Sequence, residues 1–307
     1  MMEKRYKDYA SILKKIFDGR VQKISINAGF SCPNRDGKIG TGGCTYCNNQ
    51  SFTPDYCKSN KSITQQIDEG VLFFDHKYKT QKYLAYFQSF TNTYGSLNDL
   101  ISIYEEALNH EKISGIVIGT RPDCVSDDLL DYLFEVSSRR FVMLEYGVES
   151  TCEDTLKFIN RGHSFLVAAE TIKSTAKKGI FVGAHLILGL PCESREQLIE
   201  HARNLSQLPI HCLKLHQLQI IKGTKMAKQY AENPEWFHLF TAEEYIDLVV
   251  DFLEWLNPEI AIERFVSQSP KELIVAPDWG LKNYEFAVKI EKRLAERNTW
   301  QGRLFLK

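Results

Sequence analysis

The sequence predicts an α/β fold built around a parallel sheet. Short apolar runs alternate with longer amphipathic runs six times along the chain, and this pattern is typical of strand–helix units joined by right-handed crossovers. Several short runs, such as GIVIG and AHLILGL, are apolar on both faces, as expected of parallel strands that helices cover on both sides. Periodicity leaves two architectures open, a doubly wound open sheet and a barrel.

The predicted elements follow in order along the chain. The six strands cover residues 21–26, 83–90, 115–119, 141–148, 181–188 and 213–221. The helical stretches between them cover residues 63–76, 97–110, 127–137, a broken pair over 153–178, and 195–205. Outside this repeat we expect an amphipathic helix over 4–17, a helix over 242–256, a strand over 260–265 and a charged helix over 284–297.

Composition excludes several classes of protein. The 307 residues are 43% hydrophobic and 12% aromatic, which is enough for a large core. The 38 basic and 39 acidic residues predict no strong field over the whole surface. The N-terminus has no apolar leader, and no apolar run approaches the roughly 20 residues that span a bilayer. We therefore expect a cytoplasmic protein with no membrane partner, whose eight cysteines are not a disulfide framework.

Polar residues gather just after the predicted strands, in the segments QSFTNT, TRPD, ES, GLPCES and KGT. Doubly wound sheets and barrels both place their active sites at the carboxyl ends of their strands. The sequence therefore predicts that the active site lies at this end of the sheet.

Three cysteines, Cys32, Cys44 and Cys47, lie in the glycine-rich segment SCPNRDGKIGTGGCTYCNNQSF, directly after the first predicted strand. Two residues separate Cys44 from Cys47, so both sulfurs reach one metal or cluster, and the glycine-rich arm lets Cys32 fold back to join them. Three interpretations remain open at this point. They are a zinc site completed by Cys57, a redox pair of Cys44 and Cys47, and a [4Fe–4S] cluster on three thiolates that leaves one iron free.

The cysteine loop and the later motifs together resemble the radical SAM superfamily. An aromatic residue, Tyr46, precedes the last cysteine, as in that superfamily. Five motifs follow in matching order: GTRPD at 119–123, EYGVES at 145–150, LKFINRGHS at 156–164, HLILGLP at 185–191 and LKLHQLQIIKGT at 213–224. The set is similar to the radical domain of the Elongator catalytic subunit and, more closely, to the stand-alone bacterial YhcC/YtqA-type proteins.

The resemblance implies a partial (β/α)6 TIM-like barrel of parallel strands with helical and strand extensions at both ends. Residues 1–20 would form an N-terminal helical extension, residues 21–230 the barrel, and residues 231–307 a C-terminal extension packed on it. It also implies that Cys32, Cys44 and Cys47 hold a [4Fe–4S] cluster and that S-adenosylmethionine chelates the fourth iron. An external donor such as flavodoxin or ferredoxin would supply the electron that releases a 5′-deoxyadenosyl radical.

The resemblance also implies which residues contact S-adenosylmethionine. Glu149 replaces a polar residue, usually glutamine, and its carboxylate only accepts hydrogen bonds. Arg161 matches an arginine that binds the methionyl carboxylate through its two-donor fork, and His185 matches a contact to the ribose. Without the motif order, these three would be a capping glutamate, a helix-surface arginine and a core histidine. The residues expected beside the adenine are Tyr46, Gly189 and Pro191.

This chain departs from the family pattern after the second strand, where QSFTNTY replaces the glycine pair that receives the methionyl amine. Gly119 also stands where an acidic residue is common. The candidate contacts of the amine are Gln88, Ser89, Thr91 and Asn92. The candidate substrate contacts are Arg121 and Asp123 of GTRPD, and Lys214, His216 and Gln217 of the sixth strand, where polar residues alternate with leucines.

The resemblance implies tRNA as the partner, because the related enzymes act on the wobble uridine U34. We expect conversion of its carboxymethylaminomethyl group toward the aminomethyl form. Residues 2–23 carry seven basic and three acidic residues, and residues 271–307 carry eight and five. If both patches flank the barrel mouth they could track a phosphate backbone, and Tyr6, Tyr9 and Trp300 could stack on bases.

Other interpretations remain open. The two basic patches also fit solvated helix faces. The chain could be a radical SAM enzyme that acts on a small molecule or a peptide. It could also be a zinc-stabilised RNA-binding protein without catalysis, using Cys32, Cys44, Cys47 and Cys57.

Overall fold

The computed structural model of the protein describes residues 4–49, 53–75 and 81–306. The strands of this part are β1 Val21–Ile26, β2 Lys82–Phe87, β3 Ile113–Thr120, β4 Phe141–Glu149, β5 Phe181–Leu188, β6 Cys212–Gln217, β7 Ile220–Ile221, β8 Ala261–Arg264 and β9 Ile274–Ala276. Seven of them form one sheet in the order β1-β2-β3-β4-β5-β6-β8. Every pairing within this sheet is parallel, which confirms the predicted α/β class.

Helices follow most of the strands and cover the outer face of the sheet. The α-helices of the described residues are α1 Tyr9–Phe17, α2 Ile63–Asp75, α3 Leu97–Leu108, α4 Asp127–Ser137, α5 Glu153–Phe158, α6 Phe165–Lys177, α7 Arg195–Ser206, α8 Lys225–Glu232, α9 Ala242–Trp255 and α10 Asn283–Glu296. None of the helices in this part of the chain is both long and apolar enough to cross a bilayer. Their buried sides and the outward side chains of the strands form the main apolar core.

The sheet is curled into a partial barrel, because its two edge strands approach each other across a common lumen. Lys23 of β1 donates to both oxygens of Glu263 of β8 at 2.8 Å, although five other strands separate β1 from β8 in the sheet. An open doubly wound sheet would hold its edges far apart. The partial barrel implied by the resemblance is therefore confirmed, and β8 adds a seventh parallel strand beside β6.

Two predicted strands are too long. Residues 83–90 were expected in one strand, but β2 ends at Phe87, and Phe90 has a φ of 63°, which a strand does not accommodate. Residues 213–221 divide into β6 and β7, and β7 leaves the main sheet to pair antiparallel with β9. The apolar alternation runs through both pieces, so periodicity does not reveal the change of partner.

The predicted helices are present, with small changes at their ends. The first helix begins at Tyr9 rather than residue 4, because the Asp8 carboxylate caps it by accepting from the Ser11 amide at 3.0 Å. The last predicted residue of the second helix, His76, lies outside the described residues. Helix α8, just after β7, was not predicted.

Helix α1 closes the amino end of the barrel. Its buried residues Tyr9, Leu13 and Phe17 share an apolar cluster with inward-facing residues near the starts of several strands, including Met143 of β4 and Ala261 of β8. Burial of a side chain such as Leu13 contributes about 1.5–3 kcal/mol. This packing fills the end of the barrel opposite the carboxyl ends of the strands.

Candidate active site

A cavity of about 1010 Å³ opens into the barrel at the carboxyl ends of the strands. This is the end of the sheet at which the sequence predicts the active site. The structure brings together in the cavity lining twelve of the predicted site residues: Cys32, Cys44, Cys47, Tyr46, Gln88, Thr91, Arg121, Glu149, Arg161, His185, His216 and Gln217.

The loop that carries the three cysteines is held in place by backbone hydrogen bonds. The Arg35 amide donates to the Cys32 carbonyl at 2.8 Å, and the Cys47 amide donates to the Cys44 carbonyl at 3.1 Å. Between them, Thr45 donates its amide to the Ile159 carbonyl at 2.9 Å. The loop is therefore tied to the segment after α5.

Positive charge surrounds the cysteines. The Cys44 sulfur accepts from Arg161 Nη1 at 3.5 Å, and Arg35 Nη2 donates to the Cys47 carbonyl at 3.0 Å. Burial and the neighbouring Cys44 raise the pKa of the Cys47 thiol, so an electropositive ligand is needed to hold it as a thiolate. Three sulfur donors beside two guanidinium groups suit an anionic iron–sulfur cluster.

Cys57 lies apart from the three cysteines. It is buried in the main apolar core that also contains Ile24 and Ile67, and burial raises the pKa of its thiol to about 12. Over residues 4–49, 53–75 and 81–306, no three His, Cys, Asp or Glu side chains form a group that could hold a metal ion. A [4Fe–4S] cluster is wider than a single ion, so its thiolates stand farther apart. The described residues therefore do not assemble the four-cysteine zinc site. The fit to a three-thiolate cluster rests on Cys32, Cys44 and Cys47 lining one cavity beside Arg35 and Arg161.

Glu149 and Arg161 face each other across Gly147. Arg161 is buried, donates through Nη2 to the Gly147 carbonyl at 2.5 Å, and lies 3.9 Å from Glu149 Oε1. Its Nε is buried without a hydrogen-bond partner among the described residues. Glu149 ends β4 with a φ of 69°, an unfavourable conformation that turns the chain. Arg161 is therefore not the helix-surface arginine that its sequence context also allows.

The segment after β2 contains four candidate contacts of the methionyl amine, Gln88, Ser89, Thr91 and Asn92. Gln88 lines the cavity and donates to Ser25 Oγ at 2.8 Å, and Thr91 lines it as well. Ser89 and Asn92 lie outside the lining, and Asn92 Nδ2 donates to the Gly119 carbonyl at 2.7 Å. Three atoms of this segment are buried and have no hydrogen-bond partner among the described residues: Ser89 Oγ, Thr91 Oγ1 and Asn92 Oδ1.

Asp123 supports Arg121 and is not itself in the lining. Arg121 donates to both Asp123 oxygens, from Nε at 2.9 Å and from Nη2 at 2.8 Å, and its Nη1 donates to the Arg161 carbonyl at 2.8 Å.

Two further predicted contacts, Gly189 and Pro191, also lie outside the lining. Gly189 has a φ of +92° and packs against Phe240, where a Cβ would lie 3.1 Å from the ring.

A buried charged layer lies in the lumen, and the sequence predicted only Lys214 of it. Lys23, Lys214, Glu145 and Glu263 join at distances of 2.5–3.3 Å, and Lys214 also donates to the Tyr86 hydroxyl at 3.1 Å. Burial alone would raise the pKa of Glu145, but Lys214 and Lys23 outweigh it and hold that pKa well below its usual range. The available signal was one charged residue of this layer within each of four predicted strands: Lys23, Glu145, Lys214 and Glu263.

Two histidines and an arginine lie beside this layer. His185 Nε2 lies 3.1 Å from Glu145 Oε2, and Arg264 Nη2 lies 3.0 Å from His216 Nε2. Burial and the nearby Arg264 lower the pKa of His216 well below its usual range, so its ring is neutral at neutral pH. Gln217 ties β6 to the segment after β8, accepting from the Ser267 amide at 2.8 Å.

The expected nucleic-acid surface is wrong in two respects. Tyr6 and Tyr9 are buried and cannot stack on bases, whereas Trp300 is 49% exposed. Helix α1, which carries Lys14 and Lys15 of the N-terminal patch, packs at the end of the barrel opposite the cavity. Some basic residues of the two patches also pair with acidic side chains, as in Lys7–Glu259 at 2.7 Å and Lys289–Glu243 at 3.2 Å.

Comparison with known sequences agrees with this geometry. The Radical SAM superfamily matches residues 34–205, and the Radical_SAM C-terminal domain matches residues 210–296. The uncharacterized protein YtqA of Bacillus subtilis (strain 168) is 37% identical over 305 residues, which covers 99% of this chain and 94% of YtqA. Elongator complex protein 3 of Saccharomyces cerevisiae is 29% identical over 168 residues, which covers 54% of this chain and 29% of that protein.

A solved structure gives the same fold. The archaeal Methanocaldococcus infernus Elp3 with an N-terminal deletion matches with a TM-score of 0.68 and 16% identity, covering 92% of this chain and 64% of that chain. The resemblance found in the cysteine loop and the later motifs is confirmed, and the chain belongs to the radical SAM superfamily.

Proposed function

We propose that this radical SAM enzyme modifies the wobble uridine U34 of tRNA and converts its carboxymethylaminomethyl group toward the aminomethyl form. The observation that carries the proposal is the placement of Cys32, Cys44 and Cys47 in the lining of one large cavity at the carboxyl ends of the strands. Similarity to Elongator complex protein 3 over about half of the chain supports the choice of substrate.

The size of the cavity supports a nucleoside substrate. Pockets for one small molecule usually measure about 300–1,000 Å³, and the cavity of about 1010 Å³ lies at the top of that range. It therefore offers room for a cofactor together with one base. A wobble base lies in a single-stranded loop, where it can leave the stack and enter such a cavity at little cost.

The cofactors of the superfamily are a [4Fe–4S] cluster and S-adenosylmethionine, which when bound supply a 5′-deoxyadenosyl radical. In our proposal Cys32, Cys44 and Cys47 hold the cluster, and Arg161 directs its free Nε–H toward the methionyl carboxylate. Glu149 accepts hydrogen bonds from the ribose hydroxyls or the ammonium group. An external flavodoxin or ferredoxin supplies the electron.

The first test is the nucleoside composition of tRNA from a strain that lacks the gene. We expect the carboxymethylaminomethyl nucleoside to accumulate and the aminomethyl derivatives to fall, measured by mass spectrometry of digested tRNA. Expression of the wild-type gene should restore the pattern, and expression of the Cys44→Ala variant should not. Unchanged levels of both nucleosides would contradict the substrate that we propose.

The second test uses purified protein. Reduced, cluster-loaded enzyme is incubated with S-adenosylmethionine and with bulk tRNA from the deletion strain, and 5′-deoxyadenosine is measured. We expect the deletion-strain tRNA to stimulate its formation more than wild-type tRNA does, because the substrate is enriched in the former. Equal formation with and without tRNA would instead favour a small-molecule or peptide substrate.

A further inference from the structure

The four lumen charges of the buried layer balance one another. Two cations, Lys23 and Lys214, contact two anions, Glu145 and Glu263, and the longest of these four contacts is 3.3 Å. Burial makes an unpaired charge costly, so this neutral arrangement is what a water-poor lumen requires. Any further charge beside the layer needs a counter-ion of its own.

Arg264 is a further charge, and it has no such counter-ion among the residues that the structure describes. It is the last residue of β8, lines the cavity, and contacts the neutral ring of His216 at 3.0 Å. Among the described residues, its Nε is buried with no hydrogen-bond partner, and its guanidinium forms no ion pair with an acidic side chain. The neighbouring lysine, Lys214, is already engaged by Glu145 at 2.5 Å.

A guanidinium with free donors in a cavity is suited to an anion that presents two oxygens side by side. The cysteine loop has its own arginines, since Arg161 contacts the Cys44 sulfur and Arg35 contacts the Cys47 carbonyl. Arg264 belongs to a different strand, β8, and lines the same cavity next to the loop that carries Ser267.

We infer that Arg264, together with His216, forms a subsite for a carboxylate of the substrate. This inference rests on the proposed function, in which the wobble side chain ends in a carboxymethyl group. That group is the tip of the side chain and would enter the cavity with the base, whereas the phosphates of the tRNA would stay on the backbone outside. His216 stays neutral, so it offers a hydrogen bond without adding a second positive charge.

The test compares an acid with its ester. The probe is an anticodon stem-loop RNA that carries the carboxymethylaminomethyl uridine, and the reference is the same RNA with the carboxylate as its methyl ester. Binding to cluster-loaded protein is measured by fluorescence anisotropy without reductant, so that no turnover occurs. We expect wild-type protein to bind the acid about tenfold or more tighter than the ester, as for a charge-assisted hydrogen bond.

Substitutions assign that preference to Arg264. Arg264→Gln should bind acid and ester equally, at the affinity of the ester, and Arg264→Lys should retain part of the preference. Arg139→Gln is the matched control, because this arginine is exposed and pairs with Glu105 outside the cavity. If Arg264→Gln prefers the acid as strongly as wild type, the subsite is wrong and Arg264 only positions His216.

A second probe separates this inference from the choice of tRNA as substrate. N-methylglycine is the free form of the side-chain tip, and its methyl ester is the reference, with binding followed by broadening of their proton NMR lines. If the wild-type protein binds none of the RNA probes but broadens N-methylglycine in an Arg264-dependent way, the tRNA proposal fails and the carboxylate subsite stands. Equal broadening with wild type and Arg264→Gln overturns the subsite.

Discussion

Lys214 donates a hydrogen bond to Glu145 across the barrel lumen at 2.5 Å, and their side chains are only 4% and 0% exposed. The two residues come from β6 and β4, which β5 separates in the sheet. The charged layer around this pair joins the two edge strands through Lys23 and Glu263. The layer therefore helps to hold the partial barrel closed.

Replacement of Glu145 by Gln should destabilise the protein strongly, because it leaves Lys214 and Lys23 buried with one anion fewer. Breaking a buried pair in this way costs about 3–5 kcal/mol. The measurement is the free energy of unfolding in urea. Glu105→Gln is the control, since the Glu105–Arg139 pair is more exposed and should contribute at most about 1 kcal/mol. Equal losses in the two variants would show that the lumen is well hydrated.

His163 should make stability depend on pH below neutrality. Burial and the nearby Arg161 lower its pKa from 6.5 to about 3, and its Nε2 is buried without a partner among the described residues. Between these two pH values the unfolded chain takes up a proton that the folded chain does not, so stability falls as the pH falls. The slope from this group is at most about 1.4 kcal/mol per pH unit.

The measurement is the free energy of unfolding at several pH values from 7 down to about 4. The His163→Gln variant lacks this titration, so its stability should fall less steeply than that of the wild type. Parallel curves for the two proteins would mean that the His163 ring gains a proton as readily in the folded state as in the unfolded one.

Gly147→Ala should weaken binding of S-adenosylmethionine. A Cβ at this position would lie 2.6 Å from Arg161 Nη2 and 2.6 Å from Glu149 Oε1, so both side chains must move. We expect the Kd for S-adenosylmethionine, measured by equilibrium dialysis, to rise about tenfold or more while iron content stays normal. Gly19→Ala is the control, because the nearest atom to its added Cβ is 4.0 Å away. An unchanged Kd would show that Arg161 and Glu149 do not contact S-adenosylmethionine.

The three loop cysteines and Cys57 should differ in iron binding. After anaerobic reconstitution, wild-type protein should be brown and hold about four irons per chain, and Cys44→Ala should lose most of this iron. Cys57→Ala should keep it, because Cys57 lies in the apolar core. Its loss of stability should be modest for a small buried side chain. Two outcomes would support the four-cysteine zinc site instead. One is colourless wild-type protein that holds one zinc, and the other is an equal loss of iron in both variants.

The sequence by itself determined the local features of this protein. Alternation of apolar and amphipathic runs located every strand of the repeat, and the bounds of β1 and β5 agree with the prediction. The spacing of Cys44 and Cys47 and the order of the later motifs indicated the superfamily. Such features are visible because side-chain periodicity and ligand spacing are properties of neighbouring residues.

Only the tertiary structure decided which distant residues meet. The charged layer draws Lys23, Glu145, Lys214 and Glu263 from four strands, and their approach depends on how far the sheet curls. The position of Cys57 was also decided by the tertiary structure. It lies near the other cysteines in sequence but in the apolar core in space. Burial and long-range packing set these outcomes, and neither can be read from a window of adjacent residues.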